Sequence, residues 1–170
     1  MRKPGVMIDL ETMSTRPTAV VISIGAVKFN DDGVTDRFKV NISPKSYQQY
    51  GNKFHVSPDT VEWWSKQSPE ARAAWRTDPY PVEEAFQMFS DWYGPKSFWT
   101  WGNGSAFDIS IMENAYNVLG MDIPWNYGDV MCLRTMCNMT NTRVDRSEGV
   151  FHDALVDAEN QAKFLIKLLS

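Results

Sequence analysis

Asp9 and Glu11, one residue apart near the N-terminus, are the first of four carboxylates and one imidazole whose order along the chain could do chemistry. Asp108 ends the run Asn103-x-x-x-Phe107-Asp108, and His152 precedes Asp157 by five positions. Hard divalent cations take oxygen ligands and a neutral imidazole can take a proton from water, so this set suits metal-assisted cleavage of a phosphodiester. Alternate side chains of a strand share a face, which would set Asp9 and Glu11 side by side with Cβ atoms ~7 Å apart and turn Leu10 to the opposite layer. Paired catalytic metals lie about 4 Å apart, so Asp9 is assigned to bridge both and Glu11 to bind one from outside.

Each piece alone has a plainer use. An acid-x-acid pair is commonly a solvated strand end, and Asp108 in a first helical turn complements the positive end of the helix dipole. Asn103 could hydrogen-bond and Phe107 stack with a nucleotide, although a turn Asn and a core Phe are the commoner uses. A lone His is usually structural, and His152 is one of two, with His55. Asp153 rivals Asp157, being four residues earlier and able to bind or to cap the helix.

The elements that must position these groups are legible in outline. Val6 to Glu11 reads as a short strand, and Val20 to Phe29 as a second that is apolar on both faces, so both belong mid-sheet. After the turn signal Asn30-Asp31-Asp32-Gly33, Phe38, Val40 and Ile42 alternate with polar residues, completing an antiparallel meander. Ser57-Pro58 and Ser68-Pro69 each place a capping hydroxyl before a first-turn proline, predicting two short helices. Pro81 to Tyr93 predicts a longer helix, stopped by Gly94-Pro95. Phe98 to Trp101 forms an aromatic strand, followed by a turn and a helix from Ala106 to Leu119. Tyr127 to Leu133 is compatible with a strand or a helix start. Asn138 to Val150 has no periodicity and predicts a mobile loop, after which Ala154, Ala158, Ala162 and Leu165 mark the buried face of a last helix. The pattern gives an α/β fold, helices around a mixed sheet, in one domain spanning 1–170.

Charge excludes a broad basic field, since Lys plus Arg number 17 against 21 for Asp plus Glu, for a net charge of −4. Nucleic acid would have to be gripped locally, and dications among the acids would reverse the local sign where a phosphate approaches. Two cysteines, Cys132 and Cys137, make no disulfide framework. With no secretory signal and no run long enough to span a bilayer, a reduced, cytoplasmic protein is expected.

The ordered set resembles the histidine-bearing branch of the DEDD exonuclease superfamily, the DEDDh enzymes. The likeness extends to Ile8-Asp9-Leu10-Glu11-Thr12-Met13, Ile22-Ser23-Ile24-Gly25-Ala26-Val27, Trp63-Trp64-x-x-Gln67-Ser68, Trp101-Gly102-Asn103-Gly104 and His152-Asp153-Ala154-Leu155. These segments cover most of the chain and resemble a compact phage and bacterial subgroup related to ribonuclease T and oligoribonuclease. The resemblance implies a ribonuclease H-like fold: a three-strand antiparallel meander plus parallel strands, flanked by helices. It also implies 3′→5′ release of nucleoside 5′-monophosphates from single-stranded 3′ ends or overhangs of DNA or RNA. Asp9, Glu11, Asp108 and Asp157 would hold two Mg²⁺ or Mn²⁺ ions, His152 would activate water, and Thr12 and Met13 would cradle the terminal nucleotide. A homodimer is common among such enzymes.

Trp63 or Trp64 could stack a base. Arg143 and Arg146 could meet phosphates, although a solvated charged loop is the commoner use of such a pair. Two other functions compete. A catalytically inactive nucleic-acid-binding or interaction module of this fold is disfavoured by clustered carboxylates, which repel unless neutralised. A phosphatase built on an Asp-x-Asp nucleophile is disfavoured because the second acid is Glu11.

Overall fold

The structure is a computed structural model describing residues 3–144 and 152–170. Five strands form one sheet in the order β3-β2-β1-β4-β5. β1 (Gly5–Thr12), β2 (Val21–Asn30) and β3 (Gly33–Asn41) are the antiparallel meander, and β4 (Trp99–Gly102) and β5 (Val130–Cys132) add in parallel on the other side of β1. β1 is therefore central, and every residue of β2 from Val21 to Val27 is buried. A register shift between Glu11 and Thr12 bends the end of β1 where the two acids stand.

Helices cover both faces. The even side chains of β1, Val6, Ile8 and Leu10, pack against α3 (Val82–Tyr93) and α4 (Asp108–Leu119) through Phe86, Phe89, Ile109 and Met112. On the opposite face Met7 packs with Val27, Phe29 and Trp101 under α5 (Leu133–Thr140) and α6 (Ala154–Leu169). Asp9 and Glu11 follow Met7 at period two, so they project toward the α6 layer. The small residues Ala154, Ala158 and Ala162, all fully buried, let α6 lie close to the sheet.

α1 (Pro58–Ser65) and α2 (Pro69–Arg76) start at the expected prolines. Ser68 caps α2 by accepting from Ala71 N at 3.1 Å. Ser57 does not cap α1; its own N–H instead donates to Met13 O at 2.8 Å, tying the helix to the end of β1. The Tyr127 to Leu133 stretch resolves both ways: a 3-10 turn and the three residues of β5 lead into α5 at Leu133. α5 then runs to Thr140, so the expected loop starts later than Asn138, and its residues 145–150, Arg146 among them, lie outside the described residues. A ten-residue 3-10 segment, Pro44–Lys53, has no counterpart in the sequence reading.

Candidate active site

Three elements converge at the C-terminal end of β1. The strand supplies Asp9 and Glu11, the start of α4 supplies Asp108, and α6 supplies Asp157, with His152 two residues before the helix begins. Asp108 is buried and its Oδ1 accepts from Leu10 N at 3.2 Å, which fixes the carboxyl to the strand between the two acids. One ligand atom from each of Glu11, His152 and Asp157 lies within 4.8 Å of the others. Asp153 caps α6, accepting from Leu155 N at 3.0 Å and Val156 N at 3.4 Å, and pairs with Lys39 at 2.7 Å, so the acid that rivalled Asp157 anchors the helix to β3.

Two aromatic neighbours of His152 are on α1. Its ring centroid is 4.7 Å from that of Trp63 and 6.2 Å from that of Trp64, edge-on to each. His152 has φ 62°, left-handed backbone in which His is more frequent than most residues. Trp64 is buried and its indole donates to Thr12 O at 2.9 Å, so its surface is spent inside the protein. Trp63 is 41% exposed and has ring surface open to a ligand. Thr12 and Met13 are also buried, and Thr12 Oγ1 donates to Ser14 O at 2.7 Å. Asn103 and Phe107 are half-buried on the loop before Asp108. His55 is paired at 2.7 Å with Ser14 Oγ and supports the turn after β1.

Sequence reasoning missed Gln161. Its Nε2 donates to Asp9 Oδ1 at 2.7 Å, and its Oε1 is buried without a hydrogen-bond partner among the described residues. The available signal was spacing: Gln161 is four residues beyond Asp157, hence on the same helix face.

Crowding acids together raises their pKa values. Asp9 keeps some solvent contact, yet surrounding protein lifts its carboxyl well above the ordinary value, helped by Asp108, Glu11 and Asp157 and opposed by Gln161. Burial, then Asp157, Asp108 and Asp153, push Glu11 up to about 8, against Lys39. Burial pushes Asp108 up to about 7, against hydrogen bonds from the Leu10 and Asp108 N–H groups and the charge of Arg134. Hard oxygen donors crowded at unfavourable like charge, with an imidazole and an orphaned amide oxygen beside them, fit a divalent cation.

Two predictions follow from this geometry. Acids with raised native pKa bind more protons folded than unfolded, so their stability is full below the unfolded pKa and is lost as pH rises through the folded one. In EDTA, the melting temperature falls between pH 4.5 and about 8, the interval of the Glu11 rise, and Mg²⁺ or Mn²⁺ flattens the slope. A melting temperature that rises over that interval would contradict the assignment. Gln161→Leu leaves Asp9 without its donor and lowers activity about 10- to 100-fold, the usual effect of removing a support for a metal ligand. Steady-state rates across a Mn²⁺ titration measure it.

The fold is that of ribonuclease H-like exonucleases. The nuclease domain of 3′hExo, a DEDDh family member solved bound to rAMP, matches with a TM-score of 0.62 over 98% of this chain and 92% of that one, at 16% identity. E. coli exonuclease I in complex with single-stranded DNA, in its zinc-bound form, matches with a TM-score of 0.70 over 96% of this chain and 40% of that one, at 13% identity. The model of the 3′-5′ exoribonuclease Rv2179c-like domain matches residues 5–169, and the chain belongs to that family. It is also 29% identical over 122 residues to an exodeoxyribonuclease of Enterobacteria phage T4, which covers 62% of this chain and 52% of the phage protein. The chain thus spans about half the length of that relative. Among the described residues no helix is long and apolar enough to cross a membrane.

Proposed function

We propose that this chain is a metal-dependent 3′→5′ exonuclease acting on single-stranded 3′ ends or overhangs, with residues 1–170 working as one catalytic domain. The observation that carries the reading is the convergence of Glu11, His152 and Asp157 within 4.8 Å, beside Asp9 and Asp108. Asp9, Glu11, Asp108 and Asp157 would hold two Mg²⁺ or Mn²⁺ ions, which would supply positive charge to the phosphoryl oxygens and acidify the attacking water. His152 takes the proton of that water as its oxygen attacks phosphorus. The P–O3′ bond breaks, the 3′-oxygen leaves with the bonding pair to end the shortened strand, and a nucleoside 5′-monophosphate is released. Trp63 and Trp64 hold the imidazole on edge, and the free face of Trp63 is placed to meet the terminal base. Asn103 and Phe107 face the same nucleotide from the α4 side, and Thr12 and Met13 line the floor.

The relatives named above act on DNA in one case and are described for RNA in the other, so the test carries both polymers. 5′-Labelled DNA and RNA oligonucleotides, single-stranded or with 3′ overhangs, are incubated with Mg²⁺, Mn²⁺ or EDTA. A ladder shortening from the 3′ end, with monophosphate release abolished by EDTA, is expected. Tight binding without metal-dependent turnover would make the protein a binding module, and phosphate release from monoesters alone would make it a phosphatase.

A further inference from the structure

The loop carrying Asn103 and the far end of α5 enclose a groove of about 720 Å³ that extends away from the acid cluster. That size is typical of sites that hold nucleotide-sized ligands. Asn103, Arg134, Asn138, Asn141, Thr142 and Arg143 line it, and among the described residues no acidic side chain does. In a chain of net charge −4, two guanidinium groups lining one groove favour an anion there.

Arg134 is held in place. Its Nη2 donates to Asn103 O at 2.9 Å. Gly104, at φ +109°, lets the guanidinium approach the loop closely, because a Cβ there would fall 3.2 Å from Arg134 Cζ. One of the five guanidinium N–H groups is used in this way, which leaves an oriented fork for a ligand. At the other end Asn141, at φ 52°, closes α5, and Thr142 N donates back to Cys137 O at 3.0 Å, which turns Arg143 into the groove wall. Arg134 is the second residue of α5 and Arg143 lies three positions past its end at Thr140, so six helical residues, about 9 Å of rise, and a short turn separate them. Two guanidinium groups on the wall of one groove can meet successive phosphates of a strand. The groove also adjoins the acid cluster, since Asn103 is on the loop that delivers Asp108 and the Arg134 charge is felt at the Asp108 carboxyl.

We propose that this groove carries the strand on the 5′ side of the scissile bond, its phosphates on Arg134 and Arg143 and its base edges at the amides of Asn138 and Asn141. The proposal rests on the exonuclease reading, and it makes substrate length a determinant of affinity.

The test separates the two. Fluorescence anisotropy with a fluorescein-labelled dT12 and a labelled dT2, both in Ca²⁺, reads binding for the unaltered protein, Arg143→Gln and Asn138→Ala. Hydrolysis of thymidine 5′-monophosphate p-nitrophenyl ester in Mn²⁺ reads chemistry on a nucleotide that has no strand on its 5′ side. Arg143→Gln is expected to weaken dT12 binding about five- to tenfold, the usual effect of a lost charged hydrogen bond. It should also lower the salt slope of log Kd by about 0.7, as one lost phosphate contact predicts for a single strand. Binding of dT2 and hydrolysis of the ester should stay within about twofold. Unchanged dT12 binding in both variants, or an equal loss for dT2 and dT12, overturns the groove. Failure of the unaltered protein to hydrolyse either the ester or an oligonucleotide counts against the exonuclease reading alone, because the anisotropy comparison still decides where the strand lies.

Discussion

Asp9→Asn slows nucleotide release by at least about 10³-fold, equivalent to about 4 kcal/mol of lost transition-state stabilisation, while raising the unfolding temperature of the metal-free protein. The two effects share one cause. Asp9 stands among Glu11, Asp108 and Asp157, each of which raises its pKa, so its charge is a liability in the empty site and an asset once a dication neutralises it. Asn keeps the oxygen that accepts from Gln161 at 2.7 Å and removes the charge. A gain of about 1 kcal/mol, near 3 °C for a chain of this size, is expected in EDTA. In Mn²⁺ the order reverses, since the variant has lost a ligand and gains less from the ion. Calorimetric melts with and without Mn²⁺, beside rate measurements, decide it. An inactive variant that also melts earlier in EDTA would assign Asp9 a structural role.

Gly25→Ala destabilises the protein by about 3 kcal/mol or more, lowering the melting temperature by about 10 °C. Gly25 is the partner of Asp9 across β1 and β2. A Cβ at this position would fall 2.1 Å from the carbonyl carbon of Ala154 and 2.2 Å from Leu155 N. Those atoms are backbone in the first turn of α6, fixed by the Asp153 cap and its pairing with Lys39, so no side chain can rotate away to relieve the clash. The helix must lift, and Asp157 and Gln161 lift with it. Residual activity at temperatures where the variant stays folded should therefore fall as well, which a simple loss of stability would not produce. A change below about 1 kcal/mol, read from denaturant melts, would mean the helix can slide along the sheet.

The meander, the aromatic strand and the helices after Pro58, Pro69 and Pro81 were legible because each has a local cause: alternation, a turn signal or a proline in the first turn. The convergence of Asp9, Glu11, Asp108, His152 and Asp157 was legible only through their order and types, since nothing local links residue 9 to residue 157. What the sequence hid is tertiary. The adjacent tryptophans look interchangeable, yet the helical angle between them sends Trp64 under the Thr12 carbonyl and leaves Trp63 against His152 with an open face. Ser57 has the same flanking proline as Ser68 but directs its N–H to Met13, a contact decided by where β1 ends. Gln161 reads as an ordinary polar helix residue until α6 is laid across β1.

The bond from Gln161 to Asp9 joins residues 152 positions apart, and this separation sets the order in which the acid cluster can assemble as the chain folds. A nascent chain that has completed all five strands carries three of the acids but lacks the imidazole and the fourth. The acid cluster is therefore completed only when α6 docks across β1, which brings Asp157 and Gln161 to acids that the sheet has already placed.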